Sequence, residues 1–151
     1  MEAAINPLTL PEKNIHSPFK DMRMGHIGLW TTDFEGLINW YVENLEFRLI
    51  RQVDLGHLQL AFLAPATDDN FWLEILCNTS ANETPAPAQP ATTGYLHFCL
   101  DVDNVDQTLA ALHQRGIPTV RGPFDVPPIG KRCGFITDPM GNLIEFAQDI
   151  A

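Results

Sequence analysis

Four residues of this 151-residue chain have the types and spacing to do chemistry together: His26, Glu74, His97 and Glu145. Each sits inside a short apolar run, "HIGLW", "WLEIL", "LHFCL" and "LIEF". The two histidines are 71 positions apart, and so are the two glutamates. An ionisable group in one such run is ordinary, because buried polar side chains usually find a local partner. Four at one offset need a common explanation. An unpaired buried carboxylate costs several kcal/mol, so each glutamate needs a strong partner. Two His–Glu pairs could satisfy each other directly. A divalent cation held by two imidazoles and two carboxylates answers the same need with better charge balance. That N2O2 set suits zinc, nickel, iron, manganese or cobalt without choosing among them.

The elements that must position these residues repeat with them. Gly25 to Thr31 reads as a strand, and Asp33 caps a helix to Asn44 with Phe34, Leu37, Ile38 and Tyr41 at helical spacing. Strands follow at 47–53, 58–64 and 71–77, divided by turn-rich segments. After "NTSANETPAPAQPATTG", which lacks periodicity and reads as a linker, the pattern begins again. A strand is expected over 95–102, then a helix from Val105 to Arg115 capped by Asn104 and ended by Gly116. Strands near 117–121, 132–137 and 142–148 complete it, with Asp138-Pro139-Met140-Gly141-Asn142 as the last turn. The expectation is an α+β chain: an arm (1–22), a βαβββ module (23–77), a linker (78–94) and a second βαβββ module (95–151). Side chains alternate along a strand, so Ile27 and Leu29 face away from His26, and Leu73 and Ile75 away from Glu74. The same holds around His97 and Glu145.

Composition bounds the partners. A formal net charge of −10 disfavours a nucleic-acid backbone, and no apolar run is long enough to span a membrane as a helix. Three cysteines, Cys77, Cys99 and Cys133, form no C-x-x-C pair, and no secretory leader is legible at the start. A reduced, cytoplasmic protein is expected. Cys99, two residues beyond His97, is a candidate nucleophile or substrate contact as well as a small apolar filler. Trp30 and Trp72 share the alternation faces of His26 and Glu74, which suits a pocket with aromatic walls for a bulky or planar small molecule. Lys131 and Arg132 stand just before a strand, where they could meet an anionic group. His16, His57 and His113 have no twin at the 71 offset and read as surface residues.

The stretches "GHIGLWTTDFEGLINWYVENLEF", "FWLEIL", "GYLHFCLDVDNVDQTLAALHQRGI" and "GFITDPMGNLIEFAQ" resemble the vicinal oxygen chelate superfamily. It includes glyoxalase I, methylmalonyl-CoA epimerase, extradiol dioxygenases and bleomycin- or fosfomycin-resistance proteins. The resemblance implies paired βαβββ modules forming a half-open mixed β-barrel around a metal with open coordination positions. It implies that His26, Glu74, His97 and Glu145 are the ligand set of a bacterial-type glyoxalase I. It further implies a metal that chelates substrate oxygens and stabilises an enediolate, with Glu145 moving the proton and Glu74 as its pseudo-symmetric counterpart. A homodimer is the default expectation, since in many relatives the site lies at a subunit interface.

The resemblance also separates substrates. Glyoxalase I usually carries an arginine four residues after its first histidine, where it helps hold glutathione; Trp30 stands there instead. Asn78, four after Glu74, matches a glutathione-contacting asparagine of that family. A glyoxalase-like lyase or isomerase fits best. An epimerase shares the chemistry but usually has glutamine in place of Glu74. An extradiol dioxygenase uses two histidines and one carboxylate, leaving Glu74 as a surplus ligand. A non-catalytic antibiotic-binding protein commonly lacks a complete set.

Overall fold

The protein's structure, a computed structural model, describes residues 10–21, 25–79 and 95–150. Positions 1–9 and 22 of the expected arm and 80–94 of the expected linker lie outside the described residues. The chain divides into two compact units, residues 18–94 and residues 95–151, with the N-terminal stretch up to Ser17 assigned to the latter. Among the described residues no helix is long and apolar enough to cross a membrane.

The first unit runs β1 (His26–Trp30), α1 (Phe34–Asn44), β2 (Arg48–Asp54), β3 (Leu58–Ala64) and β4 (Trp72–Asn78). Its four strands form one mixed sheet in the order β1-β4-β3-β2, with β1 parallel to β4 and the other pairings antiparallel. The helix begins where Asp33 accepts a hydrogen bond from the Gly36 amide at 3.0 Å. Its 3.6-residue period places Phe34, Leu37, Ile38 and Tyr41 on one stripe, and all four are buried. They share the core with Ala61, Leu63, Leu73 and Ile75. Each such side chain contributes about 1.5–3 kcal/mol by leaving water.

The second unit repeats the plan as β5 (His97–Asp101), α2 (Val105–Gln114), β6 (Arg121–Val126), a 3-10 turn (Pro127–Ile129), β7 (Lys131–Thr137) and β8 (Leu143–Asp149). Its sheet order, β5-β8-β7-β6, copies the first, again with the outer parallel pair. Asn104 caps α2 by accepting from the Gln107 amide at 2.9 Å, and Gly116 follows the helix at φ +80°. Val105, Leu109 and Leu112 pack on a sheet face bearing Ile136, Ile144 and Phe146. Asp138 builds the turn into β8, accepting from the amides of Met140 and Asn142 at 2.9 Å each.

One element departs from expectation. Residues 117–120 are irregular, and the strand expected near 117–121 begins only at Arg121 and runs to Val126. Pro118 and Pro123 conceal it, because proline cannot donate to a ladder. Pro123 is tolerated because β6 is the sheet's edge and its register shifts between Arg121 and Phe124.

Candidate functional site

Within the first sheet, His26 lies opposite Trp72 and Gly28 opposite Glu74. His26 and Glu74 are therefore diagonal neighbours on adjacent parallel strands. Leu73 and Ile75 are turned into the helix-packed core, so Glu74 emerges on the other face. There His26 Nε2 stands 3.4 Å from Glu74 Oε2.

The second sheet makes the same diagonal. His97 lies opposite Leu143 and Cys99 opposite Glu145, and His97 Nε2 stands 2.7 Å from Glu145 Oε2. This pair is the more enclosed: the His97 side chain is 29% exposed against 50% for His26. The Nδ1 of His97 is buried and has no hydrogen-bond partner. A neutral ring with its proton on Nε2 would donate to Glu145 and leave Nδ1 a bare acceptor.

A phenylalanine completes each pair. Phe62, opposite Glu74, meets the His26 ring edge-on at 5.7 Å, and Phe135, opposite Glu145, meets His97 at 5.6 Å. Sequence comparison at a fixed offset misses these two, because they are 73 positions apart, not 71. The signal is their strand register opposite each glutamate.

Beyond these pairs the two faces differ. In the first unit Phe62 also contacts Trp72 at 5.8 Å, the Trp72 indole donates to the Asp69 carbonyl at 3.0 Å, and Trp30 is largely exposed. In the second, Cys133, Phe135 and Ala147 form a buried cluster with Phe124, Val126 and Leu143 against it. The Arg121 guanidinium lies 4.9 Å from the Phe124 ring centre and 5.9 Å from that of Phe135. Arg121 was not singled out in the sequence; its place on this aromatic pair depends on the β6 register.

The remaining candidates are placed as follows. Asn78 ends β4 and is exposed. Cys99 is exposed and adjoins Glu145; desolvation, then the Glu145 and Asp101 charges, pushes its thiol up to about 12, so it is not an activated nucleophile. Lys131 is held by Asp149 at 2.8 Å and Asp101 at 3.3 Å, and its pKa is raised chiefly by the Asp149 bond. Arg132 bonds Asp106 at 2.6 Å and Asp125 at 2.7 Å, tying α2 and β6 to β7. Both cations thus already face carboxylates. Tyr41, the phenol on the first helix, is fully buried in the core. His16, His57 and His113 are exposed.

The donor types fit a divalent cation. Two donors each about 2.1 Å from one ion stand roughly 3.0–3.4 Å apart; the His26–Glu74 separation of 3.4 Å reaches that range, whereas His97 and Glu145 at 2.7 Å are at direct hydrogen-bond distance. Each unit supplies one imidazole and one carboxylate. Among the described residues no three His, Cys, Asp or Glu side chains group as a ready-made cation site.

Known proteins share this architecture. Over 129 residues, 83% of this chain, it is 28% identical to the probable chloroplastic lactoylglutathione lyase of Arabidopsis thaliana, of which it spans 35%. The crystal structure of a glyoxalase family protein from Enterococcus faecalis superposes with a TM-score of 0.69 at 23% identity, covering 83% of this chain and 96% of that one. The trypanothione-dependent glyoxalase I of Leishmania major gives 0.66 at 23% identity, covering 84% and 86%. Residues 23–146, which hold both repeats and all four His and Glu positions, match the profile of one family, and the chain belongs to the Glyoxalase/Bleomycin resistance protein/Dioxygenase superfamily.

Proposed function

We propose that this protein is a metal-dependent lyase or isomerase of the glyoxalase type that removes a proton from carbon beside a carbonyl. The observation that carries this reading is the pair of matched diagonals, His26–Glu74 and His97–Glu145, one in each unit. Similarity to a lactoylglutathione lyase and membership of the superfamily support the reaction class. His26, Glu74, His97 and Glu145 are the proposed ligands of a divalent ion (nickel, zinc, cobalt, manganese or iron). Such an ion supplies Lewis acidity to a carbonyl oxygen, making the neighbouring C–H more acidic.

The chain's own residues do the rest. The carboxylates of Glu145 and Glu74 are the groups able to accept a proton from carbon and return it to the adjacent one. The phenylalanines beside the histidines limit water around the pairs and fix the ring planes. Trp30, Trp72, Asn78 and Cys99 are the proposed substrate contacts. Lys131 and Arg132 join them only where a substrate anion displaces their aspartates. A cytoplasmic homodimer acting on a small molecule, with the two βαβββ modules joined by the 78–94 linker, is the organisation proposed.

Elemental analysis of the purified protein tests the core of this reading. Metal should be present in the wild type and lost in the His97→Ala, Glu145→Ala double variant; undiminished metal there would sink the site. Assays with methylglyoxal plus glutathione, then CoA-thioester epimerisation, then catechol cleavage with iron(II) and oxygen, separate the lyase from its relatives.

A further inference from the structure

Resting on that reading, we infer that Arg121 binds a carboxylate of the substrate, one separated from the reacting carbonyl by a flat, apolar, ring-sized body. Three observations in the second unit carry this.

The first is an aromatic floor. Phe135 lies opposite Glu145 on one side and opposite Arg121 on the other. Its ring meets His97 at 5.6 Å and runs nearly parallel to Phe124, at 15° and 6.2 Å. The Arg121 guanidinium sits over both phenylalanines, 4.9 Å and 5.9 Å from their centres. One apolar surface therefore leads from the His97–Glu145 pair to a cation. Neighbouring strands are about 4.8 Å apart, so the Arg121 and Glu145 backbones stand about 10 Å from each other. The arginine side chain spans part of that gap, and a ring-sized group fits the remainder.

The second is the backbone that aims the arginine. Arg121 lies opposite Phe135 and Phe124 opposite Cys133, so Gly122 and Pro123 stand where an unbroken ladder has one residue. In a regular strand, residues three apart point to opposite faces; this bulge brings Arg121 and Phe124 to the same one. Gly122 makes it possible at φ +88°, and a Cβ there would lie 2.8 Å from the Cys133 carbonyl oxygen.

The third is charge. Lys131 is taken by Asp149 and Asp101, and Arg132 by Asp106 and Asp125. Arg121 is exposed and, among the described residues, pairs with no carboxylate. Its planar fork of donors matches one carboxylate. A phosphate dianion would bring a second negative charge to a chain whose net charge is already −10. Arg51 holds the equivalent place in the first sheet, opposite Phe62, which in turn lies opposite Glu74. There Phe62 packs with Trp72, and no ring lies under Arg51 among the described residues. Arg51 is therefore an internal control.

The probe is 4-acetylbenzoate, with its carbonyl and carboxylate at opposite ends of a flat ring, compared with its uncharged methyl ester. Ligand-observed NMR titration of the zinc-loaded, full-length protein measures both affinities. Wild type should prefer the acid by about tenfold, although the chain's overall negative charge favours the ester. Arg121→Gln should abolish that preference while holding the ester within about twofold of wild type, and Arg121→Lys should restore only part of it, lacking the planar fork. Arg51→Gln should keep the full preference. Circular dichroism checks that each variant is folded. Equal binding of acid and ester by wild type, or a preference that survives in Arg121→Gln, would overturn the inference while leaving the proposed metal centre and reaction standing. A wild-type protein that takes up no zinc would remove the reading on which it rests.

Discussion

His97 and Glu145 meet at 2.7 Å although they do not face each other in the β5–β8 ladder. The glutamate lies opposite Cys99, two residues further along β5, and the imidazole reaches diagonally to its carboxylate. His26 and Glu74 repeat that diagonal on β1 and β4. The same diagonal in both units follows from their shared strand register.

Metal content should follow the pairs. Ala at His97 and Glu145 together removes both donors of the second unit, and bound metal should fall to background on elemental analysis. The single variants should retain a fraction, because loss of one of four ligands weakens a site without abolishing it. Binding should also weaken as pH falls, since protons compete for the imidazoles and carboxylates. Wild-type stoichiometry in the double variant would remove the proposed centre.

Cys99 should be slow to alkylate despite its exposure. A thiol near 12 is thiolate in only about one molecule in ten thousand at pH 8, against roughly a quarter for an ordinary cysteine. Desolvation is the largest cause of that shift, and the neighbouring Glu145 and Asp101 charges add to it. Iodoacetamide labelling of metal-stripped protein, read by peptide mass spectrometry, should show little adduct at Cys99 at pH 8. Glu145→Gln should speed it. Rapid labelling in the wild type would contradict this electrostatic picture.

These residues show where sequence reading succeeds and where it stops. The two helices were legible because their apolar period and their caps, Asp33 and Asn104, agree with each other. The His and Glu repeat was legible because the elements carrying it keep one offset. Phe62 and Phe135 fell out of that offset, since the connections before β4 and β8 differ in length. Strand β6 begins later than its sequence suggests because Pro118 and Pro123 signal a turn, and the sheet edge explains why Pro123 is accepted within the strand. The pairing of Arg132 with Asp106 joins residues 26 apart, and no local pattern announces it.

The caps allow a graded test of the helices. Asn104→Ala removes the acceptor for the Gln107 amide and should cost about 1 kcal/mol; Asp33→Ala should cost a similar amount through the Gly36 amide. Asn104→Asp should retain most of that stability, because a carboxylate caps as well and faces the positive end of the helix. Urea unfolding with unchanged m-values would measure these differences. Equal stability of all three variants with wild type would mean that the caps contribute nothing.

Gly134 and Leu109 offer the sharpest packing prediction. A Cβ at Gly134 would lie 2.5 Å from Leu109 Cδ1 and 3.2 Å from Val105 Cγ1, so β7 can pass under α2 only where this side chain is missing. Leu109 and Val105 are both buried, and neither can retreat without disturbing the core. Gly134→Ala should therefore destabilise the protein by about 1–3 kcal/mol through overpacking. Leu109→Ala alone should cost about 2–5 kcal/mol by leaving a cavity. Combined, the new methyl partly fills that cavity and the clash with Leu109 disappears, leaving only the 3.2 Å approach to Val105, so the double variant should be more stable than the two single losses predict. Strict additivity in denaturant unfolding would show that Gly134 does not set the spacing between helix and sheet.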